Sequence, residues 1–93
     1  MEPFEVKHFP DNQRFEVDLD HSQAILSYTI SGERMVISHT TVPQAMEGQG
    51  IGSALVKTAL DYARAQNLKV VPLCSFTDAY IQRHPAYQDL VAD

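Results

Sequence analysis

Apolar and polar residues alternate with a period of two along the first half of the chain. In the stretch 14–20, every second residue is apolar, beginning with Phe15, which predicts a strand with one face on a core and the other in water. Similar stretches at 24–30 and 34–42 follow after turn residues, and a shorter one at 4–8 precedes them. Because the connections are short, we predict an antiparallel meander.

The second half of the chain begins with a helical period. In the stretch 51–66, apolar residues recur three and four positions apart, and charged residues fall on the opposite face, which predicts one long amphipathic helix. Residues 69–76 predict a further strand, and the helix that joins it to strand 34–42 makes the two strands parallel neighbours. A short helix at 77–82 and a final apolar turn complete the pattern. The fold class is therefore α+β, with a mainly antiparallel sheet, one long helix and short C-terminal helices.

Length and composition indicate one ordinary globular domain across the 93 residues. Hydrophobic residues make up 44% of the chain and charged residues 20%, which is typical of a domain with a single core. One cysteine excludes an internal disulfide, and no apolar stretch has the length of a signal sequence or a membrane span, so we expect a cytoplasmic protein that does not bind membranes. The net charge of −5 argues against nucleic-acid binding. It also means that local donors must hold any anionic ligand.

A glycine-rich segment between strand 34–42 and helix 51–66 carries the most chemical information. Gly48, Gly50 and Gly52 stand within five residues at the predicted start of the helix. Glycine lets the backbone approach a ligand closely, and the first turn of a helix offers unpaired N–H groups and the positive end of the dipole. These features together predict a phosphate site. On spacing alone, a flexible loop that enters a helix fits the pattern equally well.

Two common phosphate motifs do not fit this segment. A P-loop requires a lysine after the glycines, and a Rossmann fingerprint opens a parallel βαβ unit instead of following a meander. Residues 47–52 instead resemble motif A of the GNAT acetyltransferases, Arg/Gln-x-x-Gly-x-Gly/Ala, with Glu47 where arginine or glutamine is usual. The resemblance implies that loop amides hold the pyrophosphate of coenzyme A and that the preceding strand aligns its pantetheine arm. The residues so implied are Thr41, Val42, Gly48, Gln49, Gly50, Ile51, Gly52 and Ser53.

Three further segments strengthen this resemblance. Residues 39–43 (His-Thr-Thr-Val-Pro), 71–76 (Val-Pro-Leu-Cys-Ser-Phe) and 83–87 (Arg-His-Pro-Ala-Tyr) are similar to a subfamily of very small stand-alone GNAT proteins. The four motifs occur in the right order between about residues 15 and 91. The resemblance implies a compact GNAT-like fold with acetyl-CoA as cosubstrate and a small-molecule or peptide amine as acceptor.

Cys74 and His39 are the candidate catalytic residues. By position alone, Cys74 is a packing residue that shares a strand face with Val70, Pro72 and Phe76, whereas the resemblance implies that it lies beside the acetyl thioester. These apolar neighbours predict a raised pKa for the thiol, so a distant residue would have to activate it, and His39 is the first candidate. A lone histidine on a strand is more often structural, and both interpretations stay open.

Two other expectations concern proline and metals. Pro72 cannot donate to a strand ladder, so it predicts that its strand parts from its neighbour there. The four histidines and the cysteine lack metal-ligand spacing, and no metal is expected.

Three functions fit the sequence. The first is an N-acetyltransferase that moves acetyl from acetyl-CoA to a primary amine, as a monomer or weak homodimer. The second is a CoA-binding module without catalysis, which acts as a sensor or binds a partner. The third is a purely structural interaction domain.

Overall fold

Five strands form one sheet in the order β1-β2-β3-β4-β5, in a computed structural model that describes residues 4–92. The strands are β1 (Lys7–Phe9), β2 (Arg14–Leu19), β3 (Ser22–Ser31), β4 (Arg34–Thr41) and β5 (Lys69–Pro72). The helices are α1 (Ile51–Ala65) and α2 (Ser75–Arg83), with short 3-10 helices at Pro10–Asn12, Gln44–Met46 and Pro85–Leu90. None of the helices within residues 4–92 has both the length and the apolar character needed to cross a membrane.

The strand directions agree with the sequence pattern. Strands β1 to β4 pair antiparallel, and β4 pairs with β5 in parallel. The parallel pair was expected because α1 lies between β4 and β5 in the chain and returns it to the end of the sheet at which β4 begins. The α+β prediction, with one long helix and short C-terminal helices, is therefore confirmed.

One face of the sheet forms the core together with α1. Register pairs Phe15 with Leu26 and Val17 with Ala24, so these side chains lie on the same face. On α1, the predicted stripe packs against them; its fully buried members include Leu55 and Leu60. Burial of one such leucine contributes about 1.5–3 kcal/mol relative to its exposure. The opposite face of the sheet keeps mostly exposed or half-buried side chains.

A β-bulge interrupts β4 at Ser38. Ile37 pairs with Tyr28 and His39 pairs with Ser27, so Ser38 has no partner of its own on β3. Because side chains alternate along a strand, one extra residue exchanges the two faces. Ile37 faces the core before the bulge, and Thr40, which pairs with the buried Leu26, faces the core after it.

The predicted strand 69–76 is too long. Strand β5 ends at Pro72, and the N–H groups of Leu73 and Cys74 both donate to the carbonyl of Ile37, at 3.1 and 3.2 Å. Two consecutive donors to one acceptor turn the chain out of the ladder, and α2 begins at Ser75, before the predicted helix 77–82. Cys74 and Phe76 therefore do not share a strand face with Val70. Beyond Ile37, β4 runs on without β5, which agrees with the parting that Pro72 predicts.

An aromatic cluster fastens β1, which pairs with β2 through three residues. The Nε2 atom of His8 lies 2.6 Å from the hydroxyl of Tyr28. The His8 ring stacks on the Phe15 ring with centroids 4.1 Å apart and meets the Tyr62 ring of α1 edge-on, with centroids 4.5 Å apart. Burial lowers the pKa of His8, because the interior disfavours the charged imidazolium.

His8 makes the fold sensitive to mild acid. Its pKa is lower in the folded than in the unfolded chain, so its contribution is complete above the ordinary value of about 6.5 and is lost as the pH falls towards the folded pKa. We expect the free energy of unfolding, measured in urea, to fall more steeply from about pH 7.5 to about pH 5.5 in wild type than in His8→Phe. The exposed His21, changed to Gln, is the control and should keep the wild-type slope. Equal slopes in wild type and His8→Phe would contradict this prediction.

Candidate functional site

A cleft of about 350 Å³ lies where β4 continues past the end of β5, at the N-terminal end of α1. Strand β4, the glycine-rich segment and α2 all contribute to its wall. The lining residues are Thr40, Val42, Met46, Glu47, Gly48, Gly50, Ile51, Gly52, Ser53 and Phe76. Of the eight residues predicted to bind a cofactor, all but Thr41 and Gln49 are among them. Thr41 is exposed beyond the bulge, and Gln49 lines a neighbouring cavity of about 380 Å³ with Asp20 and His21.

The glycine-rich segment depends on positive φ angles. Gly48 has φ 82° and Gly50 has φ 76°, a region that other residues rarely adopt. Gly50 is the N-cap of α1 and provides no capping side chain, so the N–H groups of residues 51–53 have neither a helical partner nor a side-chain cap. A Cβ atom at Gly48 or Gly50 would meet no atom of residues 4–92 within 4 Å. The segment therefore offers main-chain donors on an open surface.

Gly52 is a glycine for a different reason. It lies in the first turn of α1 and has no positive φ, where glycine costs about 1 kcal/mol relative to alanine. A Cβ atom there would lie 2.8 Å from Cζ of Phe76 and 3.4 Å from Cγ2 of Val42. The missing side chain thus makes room for the Phe76 ring, which joins the start of α2 to the start of α1 across the cleft.

The cleft is poor in charge. Among the described residues that line it, Glu47 is the one charged side chain, and it is exposed. An anion in the cleft would therefore be held by N–H groups and the dipole of α1, against the field of a nearby carboxylate.

The bulge turns a segment of main chain towards the gap beside β4. Before the bulge, β4 lies beside β5, and the carbonyl of Ile37 accepts hydrogen bonds from the N–H groups of Leu73 and Cys74, which follow β5. Alternate residues of β4 therefore direct their main-chain groups towards β5. After the bulge, β4 stays paired with β3 through His39, Thr40 and Thr41, but β5 no longer runs beside it. The side of β4 that faces the gap near Thr40 therefore has no strand partner among the described residues, and a ligand can pair with it as a strand would.

Cys74 is the N-cap residue of α2 and is half-buried. Burial alone would raise the pKa of its thiol. The N–H groups of Thr77 and Phe76 and the hydroxyl groups of Thr40 and Thr77 favour the thiolate more strongly than burial disfavours it, so the pKa is lowered. The prediction of a raised pKa is therefore wrong. Its reason was a place in an apolar strand, whereas the chain has already turned into a helix whose first N–H groups surround the sulfur.

His39 is exposed on β4 and is not among the residues that line the cleft. The bulge places it on the face of the sheet opposite to Thr40, so its side chain points away from the core. The groups that lower the pKa of Cys74 are donors from Thr40 and α2. A role for His39 as the base that accepts a proton from an amine stays a prediction.

Sequence reasoning missed Thr40, Thr77 and Phe76 as parts of the site. Thr40 was within the His-Thr-x-Val-Pro motif, which was a usable signal, but unbroken alternation gave no reason to put it on the core face. Phe76 was predicted to end a strand, whereas it lies in the first turn of α2. Thr77 was correctly predicted to be helical, but nothing in that prediction brought it to the site. Within residues 4–92, no three His, Cys, Asp or Glu side chains come together in a group that could hold a metal ion.

Comparison with known proteins identifies the family. Residues 14–90 match the sequence model of the family described as GCN5-related N-acetyl-transferase. Protein NATD1 of Gallus gallus is 36% identical over 91 residues, which are 95% of this chain and 83% of that protein. Protein NATD1 of Danio rerio is 31% identical over 88 residues, 91% of this chain and 80% of that protein.

A solved structure shows the same fold. The NMR solution structure of a GCN5-like protein from Staphylococcus aureus superimposes with a TM-score of 0.77 at 29% sequence identity, covering 99% of this chain and 91% of that one. Both the sequence and the fold thus lead to one assignment: the chain belongs to the GCN5-related N-acetyltransferase (GNAT) family.

Proposed function

We propose that this protein transfers an acetyl group from acetyl-CoA to a primary amine of a small molecule or peptide. The observation that carries the proposal is the cleft, onto which the first turn of α1 and the unpaired edge of β4 open. Cys74 does not line the cleft, but its sulfur lies close to Thr40 and Phe76, which do. An anion site and a strand-like edge in one cleft, with a nucleophile beside it, suit a molecule that has a pyrophosphate, two amide groups and a thioester in a row.

The donor is held mainly by main-chain groups. The N–H groups of residues 51–53 and the positive end of α1 bind the pyrophosphate. The amides of the pantetheine arm pair with the free edge of β4 near Thr40, as an added strand would. This arrangement brings the thioester to the level at which β5 ends and α2 begins, where Cys74 lies.

The chemistry requires a polarised carbonyl and a neutral amine. A main-chain N–H group at the β4 bulge polarises the thioester carbonyl and stabilises the negative charge of the tetrahedral intermediate. The amine attacks the carbonyl carbon either of acetyl-CoA or of acetyl-Cys74, and the C–S bond then breaks. His39 or water accepts the proton that the amine loses.

A second function, a CoA-binding module without catalysis, is favoured by one observation. Among the described residues that line the cleft, none is a histidine, and the one carboxylate, Glu47, lies beside the proposed phosphate site. Transfer assays with acetyl-CoA and a panel of amines separate the two functions, because a module of this kind binds CoA without releasing free thiol.

Binding of acetyl-CoA should stabilise the fold by about 2.7 kcal/mol at one hundred times its dissociation constant. The Gly50→Val variant should lose this gain, because valine does not tolerate φ 76° and the first turn of α1 must move. Gly32→Val is the matched control: it has φ 61° in the β3–β4 hairpin, away from the cleft, and should lose stability but keep the gain. Thermal unfolding with and without acetyl-CoA measures both effects. A wild-type melting temperature that ignores saturating acetyl-CoA would refute the proposed donor.

Glu47→Gln should bind CoA about two- to fivefold more tightly at low salt, since exposed charge pairs are worth about 0.2–1 kcal/mol. The gain should disappear as salt rises from about 0.01 M to about 1 M and the Debye length falls from about 30 Å to about 3 Å. Glu33→Gln, an exposed carboxylate in the β3–β4 hairpin, should change nothing. Titration calorimetry tests this, and weaker binding by Glu47→Gln would mean that the carboxylate organises the loop.

Cys74→Ser and Cys74→Ala should lower the transfer rate by more than about a hundredfold if the sulfur carries the acetyl group. Incubation of wild type with acetyl-CoA alone should then leave one hydroxylamine-sensitive acetyl group, visible by mass spectrometry. Because the chain has a single cysteine, an acetyl thioester can only be on Cys74, and the Cys74→Ala variant, which should take up no such group, is the control. Full transfer rates in both variants would show that Cys74 is a packing residue.

A further inference from the structure

Two buried hydroxyl groups close to the Cys74 sulfur have no hydrogen-bond partner among the described residues, the sulfur included. They belong to Thr40, at the end of β4, and to Thr77, whose side chain is completely buried in the first turn of α2. A buried hydroxyl without a partner has lost its water and gained nothing in return, and such groups are rare in folded proteins. Two of them close to one sulfur are both free to donate to it when it becomes a thiolate, which is a stronger acceptor than the thiol.

The backbone brings the three side chains together from two directions. Cys74 is the N-cap of α2 and makes no side-chain capping bond there, and Thr77 follows three residues later, at the position that the side chain of an N-cap residue can reach. Thr40 comes from the sheet, because the bulge at Ser38 turns its side chain to the core face. The N–H groups of Phe76 and Thr77 and both hydroxyl groups are close enough to favour the charged form of the sulfur.

We infer that the hydroxyl groups of Thr40 and Thr77 both donate to the Cys74 sulfur when it becomes a thiolate, and that this pair, and not His39, prepares the sulfur to attack an acyl thioester. A hydroxyl group rotates freely, so each can turn its hydrogen towards the sulfur. Neither hydroxyl group bonds to the neutral thiol, whereas their bonds to a thiolate would be charge-assisted and stronger. Thr40 and Thr77 are thus positioning residues, and the identity of the thioester rests on the proposed function.

The step that they prepare is a transfer between two sulfurs. The Cys74 thiolate attacks the carbonyl carbon of acetyl-CoA, a new C–S bond forms, and the C–S bond to CoA breaks. CoA leaves as a thiolate and takes up from water a proton equal to the one that Cys74 released. A neutral amine then attacks acetyl-Cys74, its surplus proton passes to water, and the Cys74 thiolate is restored.

Charged side chains do not replace the two hydroxyl groups. In the elements around Cys74, Asp78 on α2 and Glu47 beside the cleft are both negative and would oppose a thiolate. Lys69 stands at the far end of β5, and His39 is on the other face of β4. The first turn of α1 has no charged residue. The donors that favour a thiolate are therefore hydroxyl and N–H groups.

The experiment measures the reactivity of the sulfur directly and needs no cosubstrate. Cys74 is partly exposed and is the single cysteine of the chain, so its alkylation by iodoacetamide can be followed as a function of pH. Thr40→Val and Thr77→Val remove one hydroxyl group each while keeping the shape of the side chain. Each should raise the apparent pKa of the thiol and slow alkylation at neutral pH by about tenfold, which corresponds to one pKa unit, and the double variant should be slower still.

Matched controls separate the hydroxyl effect from a change of packing. Thr40→Ser keeps the hydroxyl group and should keep the wild-type profile. Thr29→Val removes an exposed hydroxyl group from β3, and His39→Gln removes the imidazole; neither should shift the profile. If Thr77→Val fails to fold in a urea titration, Thr40→Val alone still decides the question.

The outcomes distinguish this inference from the proposed function. Wild-type profiles in both valine variants, or a shift in His39→Gln as large as theirs, would overturn the inference even if acetyl transfer from acetyl-CoA is normal. A shifted profile in the valine variants supports the inference, and if wild type then fails to take acetyl from acetyl-CoA, the proposed function alone is wrong.

Discussion

The end of β5 at Pro72 is the constraint on which the site depends. Proline provides no N–H group to the ladder, and the next two N–H groups converge on the carbonyl of Ile37. The chain can then no longer run beside β4, and it begins a helix at once. The same few bonds therefore leave β4 with an open edge and place Cys74 at the positive end of α2. A longer β5 would fill the gap with its own backbone and return Cys74 to an apolar strand.

The bulge at Ser38 is the second feature on which the site depends, after the end of β5 at Pro72. Without the extra residue, alternation would put His39 on the core face with Ile37 and would turn Thr40 to the open face. With it, a small hydroxyl side chain faces the sulfur, and the imidazole is exposed to solvent on the other side of the sheet. The bulge also changes which main-chain groups reach the gap. One inserted residue thus decides both the side chains and the backbone donors of the cleft.

Local patterns in the sequence predict most of the fold, because alternation and helical period are set by burial on one face. They predict β2, α1 and the parallel pairing of β4 with β5, and they place the glycine-rich segment at the start of α1. They do not predict the early end of β5, since Leu73 and Phe76 suit a strand as well as a helix start and only the shared carbonyl of Ile37 decides between them. The bulge has no signature in composition, so the sequence alone does not place Thr40 on the core face and His39 on the opposite face. The reason for Gly52 lies in the ring of Phe76, which is distant in sequence.

The proposed ligand is a polyanion and the protein has a net charge of −5, so the two repel each other at long range. The geometry of the cleft offers a local source of attraction. No lysine or arginine is among the described residues that line it, so favourable potential must come from oriented dipoles. The first turns of α1 and α2 provide them from two sides, and the Phe76 ring seated on Gly52 fixes one turn against the other. A site of this kind depends on backbone conformation more than on the identity of charged side chains. Substitutions that alter the positive φ angles of Gly48 and Gly50, or the contact between Phe76 and Gly52, should therefore affect the site more than the loss of any single surface charge.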